Sequence, residues 1–285
     1  RHLADLDTLV FDIQDIGCRF YTYISTMKLA MEAAGRAGVA FVVLDRPNPI
    51  NGVSIEGPML DAGDESFVGC YTLPLRHAMT IGEIARLMVA EGVAPGVELT
   101  VVPCEGWDRS TTWDQTGLVW TNPSPNMRRL TQAIVYPGVG LLETTNVSVG
   151  RGTDTPFELF GAPWIEPRAL AGALNAADTP GVRFVPRWFT PESSKFAGER
   201  CGGIDVIVTD PAGLNAVEVG LTIAATLRGL YPDAWETDRY TRLMINRSVH
   251  EALVEGASAE VLHRLARSGL DDFRRRRAAV LLYPE

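Results

Sequence analysis

The alternation of strand and helix patterns near the start of the chain limits the fold more than any other feature. Residues 7–13 and residues 39–45 contain short runs dominated by apolar residues, which are typical of strands buried on both faces. Between these runs, Ile24, Met27 and Met31 recur at helical spacing. A strand, a helix and a second strand in this order predict a βαβ unit with parallel strands and a right-handed crossover. The sequence therefore predicts an α/β fold.

Further elements follow along the chain. We expect a helix over residues 80–90 that opens with a Thr80/Glu83 capping box, then a strand over 98–102, a helix over 167–177, strands over 182–189 and 204–209, a helix over 216–230, and helices over 249–282 broken near Gly256 and Gly269. With 285 residues the chain exceeds the usual size of one domain. We therefore predict a Rossmann-like, mostly parallel sheet domain over residues 1–130, incomplete at its N-terminus, and a smaller α+β domain over residues 131–285.

Charge and residue spacing exclude several classes of function. The chain has 26 basic and 35 acidic residues, so its net charge is −9, and it lacks the basic footprint of a protein that binds nucleic acid or an anionic membrane. No apolar run is long enough to cross a membrane. The four cysteines lie far apart without metal-ligand or redox spacing, and the four histidines form no metal pattern, so no metal site is predicted.

Residues 136–164 combine glycine, proline and polar side chains with apolar residues at both ends. Glu143, Asn146 and Arg151 lie close together in this stretch, and the glycines and prolines rule out one long regular element. The apolar residues, among them Leu141 and Phe160, would anchor the stretch in a core. We expect a binding site here, near the junction of the two domains, where pockets often form.

Carboxylates at the ends of the predicted strands indicate a second part of the same site. Asp12 and Asp45 end the first two strands, and sites in open α/β sheets lie beyond the carboxyl ends of strands. Paired carboxylates suit glycoside hydrolysis. Each has a structural alternative, because Asp12 and Asp45 could cap helices and Glu143 could pair with Arg151. From the residues alone we predict a site for a polar ligand, with sugar as one candidate.

Nucleotide binding and serine catalysis are disfavoured by their missing motifs. Gly17 stands alone after the first strand, so no dinucleotide fingerprint is present, and no Walker lysine motif occurs. Ser148 lies in Asn-Val-Ser-Val-Gly, which lacks the first glycine of a nucleophile elbow. Neither chemistry is predicted.

Five motifs in order resemble the exo-β-N-acetylmuramidase NamZ family, long catalogued as DUF1343. They occupy residues 11–23, 45–49, 55–58, 122–127 and 136–153, and the resemblance covers nearly the whole chain. It implies an active-site cleft between a Rossmann-like domain and a smaller C-terminal domain. It also implies release of terminal non-reducing β-1,4-linked N-acetylmuramic acid from peptidoglycan-derived muropeptides or disaccharides, in bacterial cell-wall turnover, with no metal or organic cofactor. The compartment (secreted, periplasmic or cytoplasmic) and the oligomeric state stay open.

The resemblance also implies the site residues. Glu143 and Asp15 are the candidate catalytic carboxylates, and Arg151 is the candidate to hold the lactyl carboxylate of the muramic acid, because a guanidinium can grip a carboxylate with two hydrogen bonds. The other expected substrate-binding residues are Asp12, Gln14, Asp45, Asn48, Glu56, Asn122, Ser124, Asn126 and Asn146.

Two departures from the family pattern matter. Family members carry an upstream Gly-Pro-Glu-His-Gly segment whose glutamate is the leading candidate for the catalytic acid, and no such segment occurs in these 285 residues. One hypothesis is therefore that the 285 residues by themselves are inactive; the alternative function is a non-catalytic protein that binds muropeptides or other carbohydrates. Thr144 stands where the family usually has glycine, which would strain the backbone if that position required a positive φ.

Overall fold

The computed structural model describes residues 3–284 of the chain, so the outermost residues of both predicted domains lie outside the described part. Within it, the strands are β1 Thr8–Phe11, β2 Ala40–Leu44, β3 Glu56–Met59, β4 Pro74–Arg76, β5 Leu99–Val102, β6 Leu159–Ala162, β7 Val182–Phe189 and β8 Cys201–Val208. The helices are α1 Tyr23–Ala37, α2 Ile81–Ala90, α3 Leu130–Val139, α4 Pro167–Ala176, α5 Ala216–Leu230, α6 Thr241–Met244, α7 Arg247–Val254, α8 Ala259–Ala266 and α9 Leu270–Ala278.

The predicted βαβ unit is confirmed. Strand β2 lies at the centre of a three-stranded parallel sheet, between β1 and β5. Helix α1 connects β1 to β2, and its Met27 and Met31 are buried with Phe41 of β2 in a core that also includes α2. Helix α2 begins with the predicted capping box between Thr80 and Glu83. This half of the molecule is the α/β part that the apolar runs predict.

The prediction that the first strand is buried on both faces is wrong. Phe11 is buried, whereas the Val10 side chain is 52% exposed and Val102 of β5 is 46% exposed. Side chains alternate between the two faces of a strand. Helices α1 and α2 contribute to a core that buries Phe11 and Phe41 on one face of the parallel sheet. Val10 lies on the opposite face, which this core does not cover.

The C-terminal half is the predicted α+β arrangement around an antiparallel sheet in the order β6-β8-β7. Helices α4 and α5 pack in this half, and α3 crosses α5 where two glycines meet. A Cβ atom on Gly138 would lie 1.9 Å from the carbonyl oxygen of Ala216, so the crossing requires glycine. The sequence pattern does not reveal β3, β4, β6 or α3; helix α3 contains Pro137, which removes a backbone donor and hides the helical signal.

Buried polar contacts join the two halves. The Arg19 guanidinium is buried and donates to the carbonyl oxygens of Pro58 and Leu73 in the first half and of Leu243 and Met244 in the second. Burial lowers the pKa of Arg19 to about 10. Phe273 of α9 also lies in the core of the parallel-sheet half. A boundary at residues 130/131 stays a prediction, because the last helix returns to the first half.

Candidate active site

A cleft opens where the segment after β1 meets the stretch that contains Arg151. Its volume is about 320 Å³, and its walls are formed by Phe20, Tyr21, Thr22, Tyr23, Ser124, Pro125, Asn126, Tyr136 and Arg151. Tyr23 begins helix α1, and Tyr136 belongs to α3. The cleft therefore lies between the two halves and brings together Ser124, Asn126 and Arg151 of the predicted site.

Aromatic side chains form one wall of this cleft. Tyr21 makes edge-to-face contacts with Tyr23 and Tyr136, with ring centroids 5.3 Å and 6.0 Å away. The Tyr23 hydroxyl donates to the carbonyl oxygen of Pro123 at 3.0 Å, which holds the proline-rich loop against α1. Burial raises the pKa of Tyr21 to about 12, so its hydroxyl keeps its proton at neutral pH. Such a wall offers apolar ring faces and hydroxyl donors together.

Arg151 and Glu143 form an ion pair at the cleft. Arg151 Nε lies 2.5 Å from Glu143 Oε1, and both side chains are partly exposed. The flanking Gly150 and Gly152 adopt φ of 75° and 80°, which turns the backbone sharply at Arg151. The guanidinium lies over the Phe157 ring, 5.2 Å from its centroid. Within residues 3–284 the two Nη atoms of Arg151 donate no hydrogen bond, so one edge of the guanidinium can bind an anion.

Lys195 holds the backbone that carries Glu143. Its Nζ donates to the carbonyl oxygens of Glu143 at 3.2 Å, of Thr145, and of Val147 at 3.1 Å. Burial lowers the pKa of Lys195, while the charge of Glu143 acts in the opposite direction. No local pattern in the sequence could reveal this role, because Lys195 lies in a loop far along the chain from Glu143.

The predicted binding residue Asn146 supports the same segment. Its Nδ2 donates to the carbonyl oxygen of Ala234 at 2.7 Å, and its Oδ1 accepts from the amide of Glu236 at 2.9 Å. Thr144 lies in a 3-10 helix over Gly140–Thr144 and has no positive φ, so threonine is accommodated there without strain.

Asp15 is buried beside a histidine that the sequence did not single out. Asp15 Oδ2 accepts from the Gly17 amide at 2.8 Å and lies 3.4 Å from His77 Nε2. The Met79 amide donates to His77 Nδ1 at 3.2 Å, which assigns the ring proton of a neutral histidine to Nε2, facing Asp15. Asp15 Oδ1 is buried and accepts no hydrogen bond from the described residues. Asp15 is 5% exposed and does not line the cleft, so its contact with a ligand stays a prediction.

A second opening continues from the same loop. Its volume is about 370 Å³, and Gln14, Arg46, Trp113 and Asn122 contribute to its walls. Asp12 pairs with Arg46 at 2.6 Å beside it. The amide of Gln14 donates to the carbonyl oxygens of Asp15 and Pro47, and its Oε1 is buried without a partner among residues 3–284.

Three predicted binding residues have their polar atoms engaged inside the protein and line neither opening. Asp45 accepts from Thr80 Oγ1 and from the Gly82 amide at the start of α2, which is the capping alternative. Asn48 donates to Met79 and accepts from the Ile50 amide. Glu56 pairs with Arg76 at 2.5 Å and accepts from the Val217 amide at 3.0 Å. Their contacts with a substrate stay a prediction.

Two further observations concern the whole described chain. Over residues 3–284, no three His, Cys, Asp or Glu side chains are grouped so that they could hold a metal ion. Over the same residues, no helix combines the length and apolarity that crossing a membrane requires.

Comparison with known proteins accounts for both halves of the chain. The N-terminal profile of exo-β-N-acetylmuramidase NamZ matches residues 1–131, and the C-terminal profile matches residues 134–283. The chain belongs to the NamZ family. The resemblance carried by the five motifs is thereby confirmed.

Individual relatives agree with the family. The chain is 44% identical over 284 residues to the Peptidoglycan beta-N-acetylmuramidase NamZ of Bacillus subtilis (strain 168), covering 99% of this chain and 68% of that protein. A crystal structure of a DUF1343 family protein from Bacteroides fragilis NCTC 9343 is similar with a TM-score of 0.85 at 36% identity, over 99% of this chain and 76% of that chain. A second DUF1343 protein of that strain has a TM-score of 0.78 at 28% identity, over 98% and 76%. The α/β fold is confirmed.

Proposed function

We propose that this protein is a glycoside hydrolase that acts on peptidoglycan and releases terminal non-reducing β-1,4-linked N-acetylmuramic acid from its fragments. Membership of the NamZ family supports this activity, as does 44% identity to a relative named as a peptidoglycan β-N-acetylmuramidase. Within the molecule, the observation that carries the proposal is the Arg151–Glu143 ion pair at the edge of the tyrosine-lined cleft.

Arg151 would recognise the muramic acid. The lactyl ether of this sugar ends in a carboxylate, which N-acetylglucosamine lacks. The two Nη atoms of Arg151 are available while Nε is held by Glu143, so the free edge of the guanidinium can bind that carboxylate through charge-assisted hydrogen bonds. Tyr21 and Tyr23 would contact the apolar face of the ring.

Glu143 and Asp15 would divide the carboxylate chemistry. Glu143 Oε1 lies 2.5 Å from Arg151 Nε at the edge of the cleft, where a carboxylate suits stabilisation of the positive charge that develops on the sugar in the transition state. Asp15 has a buried acceptor atom that is unused within residues 3–284. That atom suits a hydrogen bond to the reacting sugar or to a water molecule. The hydroxyl-binding roles of the other polar wall residues, Gln14, Asn122, Ser124 and Asn126, follow from the same substrate.

The proposal is tested with the full-length protein and two chromogenic substrates, an N-acetylmuramide and the matching N-acetylglucosaminide. We expect turnover of the muramide only, and a loss of about 10²–10³-fold in kcat for Glu143→Gln, because the neutral amide no longer stabilises the charge of the transition state. Glu32→Gln is the matched control, because Glu32 also pairs with a cation at the surface, 3.0 Å from Lys28, but lies on helix α1 away from the cleft. Equal turnover of both substrates would refute the specificity.

A non-catalytic carbohydrate-binding role is not favoured by the family. Muropeptide binding measured by calorimetry, without hydrolysis of any muramide by the full-length protein, would reverse that judgement. If Glu143→Gln keeps full activity while the muramide is hydrolysed, the activity stands and the role of Glu143 is wrong.

A further inference from the structure

A second polar cavity lies on the other side of the turn that carries Arg151. Its volume is about 390 Å³, and Arg128, Asp154, Trp188 and Glu192 are among the side chains that line it. Arg151 lines the cleft described above, whereas the next three residues of the chain line this second cavity. The proline-rich loop likewise contributes Asn126 to the cleft and Arg128 to the cavity. Two chain segments therefore form a common wall between the two spaces.

The distance between the two spaces is short. Arg151 lines the cleft and the next residue, Gly152, lines the cavity. Consecutive Cα atoms are about 3.8 Å apart, so the two spaces are separated here by about one residue. A glycan of three or more sugars, with two of them in the cleft, would therefore reach across this wall to the cavity.

The cavity has an aromatic surface. Trp188 is near the end of strand β7, and half of its side chain is exposed. The Arg200 guanidinium lies 4.3 Å from the ring centroid, which holds the indole in place from one side. An immobilised, half-exposed indole provides an apolar plane of the size of a pyranose ring.

Arg187 of this cavity pairs with Asp205 at 2.9 Å, whereas three other polar side chains near Trp188 keep hydrogen-bonding atoms that residues 3–284 do not use. Arg128 donates from Nε to the carbonyl oxygen of Pro125, and its Nη atoms make no contact with a partner among residues 3–284. Within the same residues, the carboxylates of Asp154 and Glu192 form no ion pair, and no side-chain hydrogen bond engages them. Guanidinium donors and carboxylate acceptors together can bind hydroxyl groups, which donate and accept at once.

We propose that this cavity is a second glycan subsite, occupied by a sugar residue of the peptidoglycan strand on the leaving-group side of the bond that is cut. The inference rests on the proposed function and extends it from the terminal sugar to the chain behind it. The protein then prefers longer glycan fragments, since a disaccharide that fills the cleft has too few sugars to reach Trp188 and Arg128.

The test compares a disaccharide and a tetrasaccharide of alternating N-acetylmuramic acid and N-acetylglucosamine. For the unmodified full-length protein, we expect kcat/KM to be about tenfold higher for the tetrasaccharide, the size of one good aromatic contact. Trp188→Ala removes this preference and leaves the disaccharide rate unchanged, and Arg128→Met acts in the same direction. Val185→Ala is the control, because Val185 is an exposed residue of the same strand outside the cavity.

Binding by calorimetry separates the two proposals. If neither saccharide is hydrolysed, the proposed activity fails, while tighter binding of the tetrasaccharide that Trp188→Ala abolishes still supports the subsite. Equal kcat/KM and equal affinity for both saccharides in the unmodified protein would overturn the subsite. An equal loss on both saccharides in Trp188→Ala would overturn it as well, because it would assign Trp188 to the fold.

Discussion

Acidic side chains occur in two kinds of environment in this molecule. Some carboxylates have all their oxygens engaged by the protein, which suits a structural role, and others keep oxygens that could bind a ligand. Asp45, Glu56 and Glu83 are buried, and each carboxylate accepts hydrogen bonds from several parts of the chain. Asp15 and Glu143, beside the cleft, keep acceptor capacity that residues 3–284 do not use. We therefore expect the number of unused acceptor positions to be a better guide to a functional carboxylate than its position at the end of a strand.

Glu83 illustrates how fully a buried carboxylate of this protein is hydrogen-bonded. It closes the capping box of helix α2 with Thr80, binds Arg109 through both carboxylate oxygens, and accepts from the amide of Leu282 near the end of the described chain. Burial raises the pKa of Glu83. One side chain thus fixes three segments that are remote in sequence, and it has no position left for a substrate.

The largest expected effect comes from breaking this buried network. Glu83→Ala removes the carboxylate that lies 2.7 Å from Nη2 of the fully buried Arg109, and removal of one partner of a buried pair costs about 3–5 kcal/mol of unfolding free energy. Glu143→Ala, which breaks a partly exposed pair, should cost only about 0–1 kcal/mol. Urea denaturation of both variants measures the difference. Similar losses of unfolding free energy would show that the buried and the partly exposed carboxylates do not differ in their contribution to stability.

The second prediction concerns Lys195. Its Nζ donates to three carbonyl oxygens and so supports the segment of Glu143, a carboxylate with unused acceptor positions. Lys195→Ala frees the three carbonyl oxygens around Glu143, and a displacement of this proposed catalytic carboxylate by about 1 Å can cost about 10²-fold in rate. The expected loss is in kcat rather than KM. Added ethylammonium should restore part of the activity by occupying the same three carbonyls. Unchanged kcat, or no rescue in a variant that stays folded, would contradict the positioning role.

A smaller effect is expected at Arg151. Arg151→Met removes a charge-assisted contact to the substrate, which is worth about 1.5–3 kcal/mol, so KM for the muramide should rise about tenfold or more. Arg183→Met, at an exposed arginine on strand β7, is the control. Steady-state kinetics on the muramide and on its lactyl amide decide the point. If the variant discriminates between acid and amide as well as the unmodified protein does, Arg151 does not hold the carboxylate.

The smallest effect is a pH dependence at Asp45. Burial raises the folded-state pKa of Asp45 above its ordinary value of 3.8. The folded protein therefore binds this proton more tightly than the unfolded chain, and the resulting stability is fully present below pH 3.8 and is lost as the pH rises through the folded pKa.

The change at Asp45 is measured as a difference between variants. The free energy of unfolding of the unmodified protein minus that of Asp45→Asn should decrease as the pH rises above about 4, in urea titrations at a series of pH values. Asp12→Asn is the control, because Asp12 is exposed. A difference that increases with pH would show that the hydrogen bonds to Asp45 outweigh its burial.

The regular elements with strong patterns could be predicted from the sequence, and those with weak patterns could not. Helix α5 and strand β7 agree with their predicted residues, because a long amphipathic pattern and an eight-residue strand depend little on context. Strand β4 has three residues and helix α3 contains Pro137, so neither has a local signal. The exposure of Val10 was also missed, because an apolar run does not tell which face is covered.

The same limit applies to the candidate site. The motifs identified Arg151, Glu143, Ser124 and Asn126, which the fold brings to one cleft or its edge. They did not identify Tyr21 as a wall residue, His77 as the partner of Asp15, or Lys195 as the support of Glu143. These relations join residues that are distant along the chain, and single-sequence spacing carries no information about them.

The βαβ unit and the family could be predicted from the amino-acid sequence, because local periodicity and ordered motifs are properties of neighbouring residues. Which carboxylates keep an unused acceptor oxygen depends instead on the packing of the folded chain. Asp45 and Asp15 both follow apolar strand patterns in the sequence, yet Asp45 meets Thr80, Gly82 and Tyr283, whereas one oxygen of Asp15 meets no donor within residues 3–284. The number of hydrogen bonds that a carboxylate accepts depends on which donors the fold places next to it from distant parts of the sequence. It is therefore fixed only in the folded chain.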